Sequence, residues 1–244
     1  VTAQSGDMSA DLSSTNGSIG QVSATVNVNG RINAGVNISG VRAETGGINK
    51  AISAGGSIGA IFAGGSISES VTAGGSLTTV RAESGDISGD ISGGSGIQAV
   101  LAGGNISGHV GSHFGSIGRV AAGLISAGNI SGGVSAGGDI GQIVAIGNES
   151  MGTGLTNPGV HDQFVVDLQQ WLNQQVIGLP TGSKPGKPSM ATADGGAISG
   201  DIQAGGKISQ VAGSSAISSG ITAVDGVGLV WSLGEISGAI LATA

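Results

Sequence analysis

Residues 56–94 read GSIGAIFAGGSISESVTAGGSLTTVRAESGDISGDISGG, and the spacing of their aliphatic residues decides the fold. Ile58 and Ile61 are three apart, Ile67 and Val71 four, Leu77 and Val80 three, Ile87 and Ile91 four. After each pair comes a small residue or a Gly- and Ser-rich turn. The alternation runs back through Ile48–Ile52, Ile38–Val41, Val28–Ile32 and Ile19–Val22 to Met8–Leu12. It runs forward through Ile97–Val100, Ile106–Val110, Ile117–Val120 and Ile130–Val134 to Ile140–Ile143. Beyond a break it resumes in phase at Ile198–Ile202, Ile208–Val211, Ile217–Ile221, Val227–Val230 and Ile236–Ile240. A fixed period of this kind marks a solenoid, in which each unit buries its apolar face against its neighbours.

One module of about ten residues is too short to close a coil around an apolar lumen. Two modules, one of each spacing, make a coil of 19–20 residues, as from Ile19 to Ile38 and from Ile38 to Ile58. Stacking such coils puts three-spaced on three-spaced and four-spaced on four-spaced, so the alternation cannot slip. The expected fold is therefore all-β: a parallel β-helix, or β-solenoid, with neighbouring coils about 4.7–4.8 Å apart and a rod of roughly 45 Å. Ala34, Ala54, Ala73, Ala136, Ala204 and Ala223 follow the second aliphatic residue and fit a narrow lumen. Ser or Asn follows the first aliphatic residue of the four-spaced modules (Ser9, Asn29, Asn49, Ser68, Ser88, Ser107) and is expected to bond in ladders along the rod. Gly at the turns is expected to supply positive φ and close backbone approach. A β-sandwich would need strict period-2 strands and loops of varied length, and neither is present.

Composition agrees. The chain has 244 residues, 51 of them Gly, with 2% aromatic and 9% charged side chains. A conventional globular core needs larger side chains. Disorder would require low hydrophobicity and high charge, whereas this chain is 39% hydrophobic and strictly periodic. Gly does not fall at every third position, which excludes collagen. Net charge is −7, with 8 basic and 15 acidic residues, and no basic patch offers a footprint for nucleic acid. No apolar run is long enough to span a bilayer. The absence of Cys excludes a disulfide framework.

The periodicity divides the chain into a first solenoid segment, 1–146, an insertion, 147–196, and a continued solenoid, 197–244. Within the insertion, Asp162 is the expected N-cap, and Phe164, Val165, Leu168, Trp171, Leu172 and Val176 fall at spacings that would share one helical face. The spacing predicts an amphipathic helix near 162–177, ended by Gly178 and Pro180, followed by a Pro/Gly-rich linker. In the three-spaced modules the residue after the second aliphatic should point outward. That series reads Ser23, Arg42, Phe62, Arg81, Leu101, Ala121, Val144, Ala212, Trp231. Phe62, Leu101, Val144 and Trp231 then form an apolar strip on which Phe164, Leu168, Trp171 and Leu172 of the helix can dock, within the chain or on a second copy.

Residues that could carry chemistry do not assemble. Asp86, Asp90, Asp139, Asp201 and Glu235 fall at different corners and are expected to be solvated turn residues. His109 and His113 straddle a turn beside Asp90, a spacing too weak to define a metal site. Asp139 only partly echoes the calcium-binding solenoid turn. The Gly-rich stretches lack the Lys–Ser/Thr of a phosphate loop. The expectation is no catalytic, cofactor-binding or metal-binding site and no enzyme activity.

The modules of 56–94 resemble the Gly/Ser/Asn-rich repeats of filamentous-haemagglutinin-like adhesins and autotransporter passenger domains of bacterial surface proteins. The likeness covers 1–146 and 197–244. It implies a right-handed parallel β-helix, exported and used as a rigid stalk, adhesin or fibre at the cell surface. Polar caps normally close a solenoid, yet the repeat begins at Val1 and runs to Ile240. The expectation is a structural subunit of an extracellular filament, sheath or stalk that assembles head-to-tail with copies of itself through Val1 and Ile240. The alternative is a surface module that binds glycan or a cell surface. A polysaccharide-cleaving enzyme ranks third.

Overall fold

The computed structural model describes residues 1–149 and 193–243. They form the expected parallel β-solenoid, with about ten coils. Each coil contributes to three hydrogen-bonded columns. The three-spaced modules supply the longer strands, from Ile19–Ala24 and Ile38–Ala43 through to Val227–Ser232, with Thr2–Ala3 at the edge of the same ten-stranded sheet. The four-spaced modules supply a second ten-stranded sheet of three-residue strands, from Leu12–Ser14 to Ile240–Ala242. Their first aliphatic residues make a column of single parallel bridges from Met8 and Val28 up to Ile217 and Ile236.

The register is that of like on like. Ile19 pairs with Ile38 and Val22 with Val41. Leu12 pairs with Ile32, and Met8 with Val28. Ten rungs at parallel-sheet spacing span about 43 Å. The break in the repeat does not disturb the stack. Val134 pairs with Ile202 and Ile140 with Ile208, so the coils on either side of the insertion are directly superposed. The insertion leaves through Gly147–Glu149 and returns through Ala193–Gly195, which pair antiparallel as a neck. The helix expected near 162–177 lies outside the described residues, as do Phe164, Leu168, Trp171 and Leu172.

The three-residue spacing has a structural cause. In a straight strand, residues i and i+3 face opposite sides. Here Ile19, Gln21 and Val22 pair with Ile38, Gly40 and Val41, while Gly20 and Ser39 drop out of the register. The same skip recurs at Gly59, Gly118 and Gly141. This repeated bend returns both aliphatic residues to the lumen. Ile38, Val41, Ile58, Ile61, Val80, Val100 and Val120 are all at most 1% exposed. The small-residue positions behave as expected, with Ala34, Ala54, Ala73 and Ala223 buried against the same core.

Two details differ from the sequence reading. First, the polar ladders run mainly two residues earlier than expected, at the position just before an aliphatic residue. Asp7 Oδ1 accepts the Asn27 backbone N–H at 3.0 Å, and Asn27 Oδ1 accepts that of Gly47 at 2.8 Å. Asp86 Oδ1 accepts from Asn105 N (2.6 Å), and Asn105 Oδ1 from Asn129 N (2.9 Å). Asn129 Oδ1 continues to Ala197 N at 2.8 Å, across the insertion. A corner N–H points up the rod, and only a side chain one residue before the inward-turning aliphatic lies beneath it. The expected ladder survives in the amide bond from Asn49 to Asn29, 2.8 Å.

Second, glycine serves close approach more than unusual backbone angles. Positive φ occurs at only six of the described glycines, Gly123 (84°) and Gly226 (113°) among them. At Gly55, Gly74 and Gly94, which stack on one another, a Cβ would overlap the carbonyl oxygen of the glycine one coil below. The rung spacing leaves no room for it.

This contrast is testable. Gly74→Ala should destabilise the chain by about 2 kcal/mol or more, because rigid backbone must move. Gly20→Ala meets nothing within 4 Å, and it should be neutral or stabilising by up to about 1 kcal/mol through the unfolded state. Denaturant unfolding of the two variants checks the difference, and equal effects would contradict it.

Candidate functional site

Two outer faces carry organised side chains. On the long-strand sheet the predicted outward series is one continuous ladder. Ser23 pairs with Arg42, Arg42 with Phe62 and Phe62 with Arg81. Arg81 pairs with Leu101, then Ala121, Val144, Ala212 and Trp231 follow rung by rung. The ladder changes character along its length. In its lower half Arg42 lies 4.2 Å over the Phe62 ring and grips Glu44 through two nitrogens at 2.6 and 2.8 Å. This paired guanidinium holds the Glu44 carboxyl below the usual range, but both groups are exposed and the pair adds little to stability. Arg81 repeats the arrangement with Glu83, 2.6 Å away.

In the upper half the ladder is apolar and largely buried. Ala121, Val144, Ile146 and Ala212 are buried outside the lumen and form a second, smaller core. Leu101, Leu124, Leu229 and Trp231 pack against it half-buried. Three of the four strip residues expected from the sequence, Leu101, Val144 and Trp231, therefore do come together. Phe62 does not join them, because Arg81 intervenes and Arg42 covers its ring. Beside the strip, Gln142 Nε2 donates to Gln210 Oε1 at 2.7 Å. Burial at the neighbouring Arg119 lowers its guanidinium pKa from the ordinary value. The remaining expected interface residues sit at opposite ends of the rod. Val1 is 66% and Ile240 48% exposed.

The other face is the outside of the short-strand sheet. Here Ser92, Gly111, Ser135, Gln203 and Thr222 occupy one outward column on five successive rungs. They line a groove of about 500 Å³ flanked by His109 and His113. The two histidines bracket the strand Val110–Ser112 and not a turn, as the sequence reading had it. Gly111 leaves room for the His109 ring. A Cβ there would lie 3.1 Å from His109 Nε2, and one at Gly133 would lie 3.1 Å from His109 Nδ1. The imidazole thus lies across two glycines. Its Nε2 is 2.9 Å from Ser135 Oγ, and its backbone N–H donates to Asp90 Oδ1 at 2.8 Å. His113 meets Phe114 edge-on, with centroids 4.1 Å apart and planes at 76°. Phe114 is 79% exposed. The Ser112 hydroxyl at the groove's edge is buried and has no hydrogen-bond partner among the described residues. Sequence reading singled out none of Ser92, Ser135, Gln203, Thr222 or Phe114. Their common place in the module, next after the second aliphatic for the first four, was the available signal.

The scattered carboxylates have a structural role that the sequence reading missed. Asp86, Asp90, Asp139 and Asp201 each accept a backbone N–H from the next coil. Among the described residues, no group of three or more His, Cys, Asp or Glu side chains could hold a metal ion. No described helix is long and apolar enough to cross a membrane. Comparison with protein-family models, curated proteins and solved structures finds no match.

The second core makes a direct prediction. Val144→Asp should cost about 2–4 kcal/mol, because it puts a carboxylate into a buried apolar cluster. Phe62→Ser, which loses one exposed cation–π contact, should cost about 1 kcal/mol or less. Thermal or denaturant unfolding measures both. A Val144→Asp variant as stable as the parent would show the strip to be free surface.

Proposed function

We propose that the chain is a rigid structural segment of an extracellular filament, sheath or surface stalk. The observation that carries this reading is the uninterrupted in-register stack, in which every rung repeats the one below and the insertion leaves the register intact. Such a rod cannot bend without breaking hydrogen bonds on three columns at once. The polar corner side chains support it too. They are spent on the next coil's backbone and not gathered into a reactive cluster. The style of the repeats, which resembles that of bacterial surface adhesins and autotransporter passengers, points to the outside of the cell.

Head-to-tail assembly with copies of itself is the second half of this proposal. Thr2–Ala3 and Ile240–Ala242 are the outermost described strands of the two ten-stranded sheets, and both pair in parallel. In the last described coil Ile236 and Ile240 continue the apolar columns, and Leu241 continues the outward column of Thr222. Another coil can add by the bonds already used inside, and a heterologous contact of that kind grows without closing. Electron microscopy and sedimentation over a concentration series test this. The parent chain should give rods that lengthen with concentration in steps of one protomer. Ile240→Lys/Leu241→Lys should remain short rods. Parent rods that stay short and monodisperse at every concentration would overturn self-assembly.

A further inference from the structure

We propose that the groove on the short-strand sheet binds an uncharged oligosaccharide laid along the rod axis, with Phe114 under one sugar ring. This goes beyond a structural role and rests on separate observations.

Shape comes first. Five successive rungs contribute Ser92, Gly111, Ser135, Gln203 and Thr222 to the groove, a length of about 19 Å at parallel-sheet spacing. An elongated ligand that repeats its functional groups suits a lining that repeats its own. Chemistry narrows the choice. The groove offers hydroxyls from Ser92, Ser135 and Thr222, an amide from Gln203 and imidazoles from His109 and His113. None of its lining residues is Asp, Glu, Lys or Arg, so no permanently charged side chain lines the groove to anchor an ionic ligand. The chain's net charge of −7 further disfavours an anion. An apolar ligand would strand those polar groups in a desolvated site. An extended peptide gains affinity by adding to a free sheet edge, yet the strands beneath this groove are already paired on both sides. A ligand dense in neutral hydroxyls satisfies all three conditions.

Two features show preorganisation. His109 is fixed across Gly111 and Gly133, tied by its Nε2 to Ser135 and by its backbone to Asp90, so it presents one orientation. Phe114 directly follows the lining residue His113 and stands 79% exposed, its ring edge-on to that imidazole. An aromatic face left in water beside hydrogen-bonding groups matches a pyranose, which has an apolar C–H face and a polar rim.

Titration calorimetry of the full chain with cellohexaose, xylohexaose, maltohexaose and, as the anionic arm, hexagalacturonate tests the proposal. At least one neutral hexasaccharide should bind at millimolar concentration or below. Phe114→Ala and Gln203→Ala should each weaken it about tenfold. Asn33→Ala, on the same sheet face three rungs from Ser92, should leave it unchanged. Both groove variants change exposed side chains, and circular dichroism melting confirms that they fold. Absence of binding to every neutral probe, preference for hexagalacturonate, or binding that survives both groove variants would overturn the proposal. Rod assembly is read separately by microscopy, so failure here leaves the filament reading standing.

Discussion

The structure depends on one constraint: each coil must hydrogen-bond to the next at a single fixed spacing, on every side of the rod. Backbone groups that find no partner within a coil find one in the coil above or below. At corners where strands cannot supply it, an Asp, Asn or Ser side chain does. The constraint is strict because rungs are about 4.8 Å apart, less than two methyl groups stacked with any clearance for a branched turn. Positions in contact along the axis must carry glycine, or a side chain that stacks on its own kind. The stacked Gly55, Gly74 and Gly94 and the stacked Ile19, Ile38 and Ile58 are two outcomes of that one rule.

The same rule separates what the sequence made legible from what it did not. Register was legible, because an aliphatic residue out of step would enter the solvent face. The alternation of spacings alone placed Ile140 on Ile208 across the long insertion. The order of the outer ladder from Ser23 to Trp231 was legible for the same reason. What escaped was the direction of groups at corners. Asp86 and Asp139 look like ordinary turn residues until the N–H of the next coil is seen above them. Burial of the small outward residues also escaped, since Ala121 and Ala212 hold the same module position as half-buried Ser23 and carry no mark that sets them apart. The groove was hidden for a further reason. The His109 ring can lie in it because Gly111 has no side chain where its column has Ser92 on one side and Ser135 on the other. A single vacancy matters only when the third dimension brings those rungs together.

Function on such a scaffold lies in the departures from the repeat. The lumen and the corner ladders are alike on every rung and do one job, which is to hold the rod straight. The second core around Val144, the His109 platform and exposed Phe114 each occur once among the described residues, and each interrupts a column that is otherwise regular. A repeat tolerates such substitutions on its outer faces because they do not touch the axial contacts. The same backbone can therefore be a strut along its length and a recognition surface at one place.

The most direct test of the account is a distance along the rod. The chain has no Cys to remove, so spin labels can be attached at Ser53→Cys and Gln203→Cys, two outward positions of the short-strand sheet. They are far apart in sequence and five rungs apart in the stack. Pulsed electron paramagnetic resonance should return one narrow distribution centred at about 24 Å between attachment points. A broad distribution, or a centre displaced by a whole rung or more, would contradict the in-register stack on which the fold, the rod and both surfaces depend.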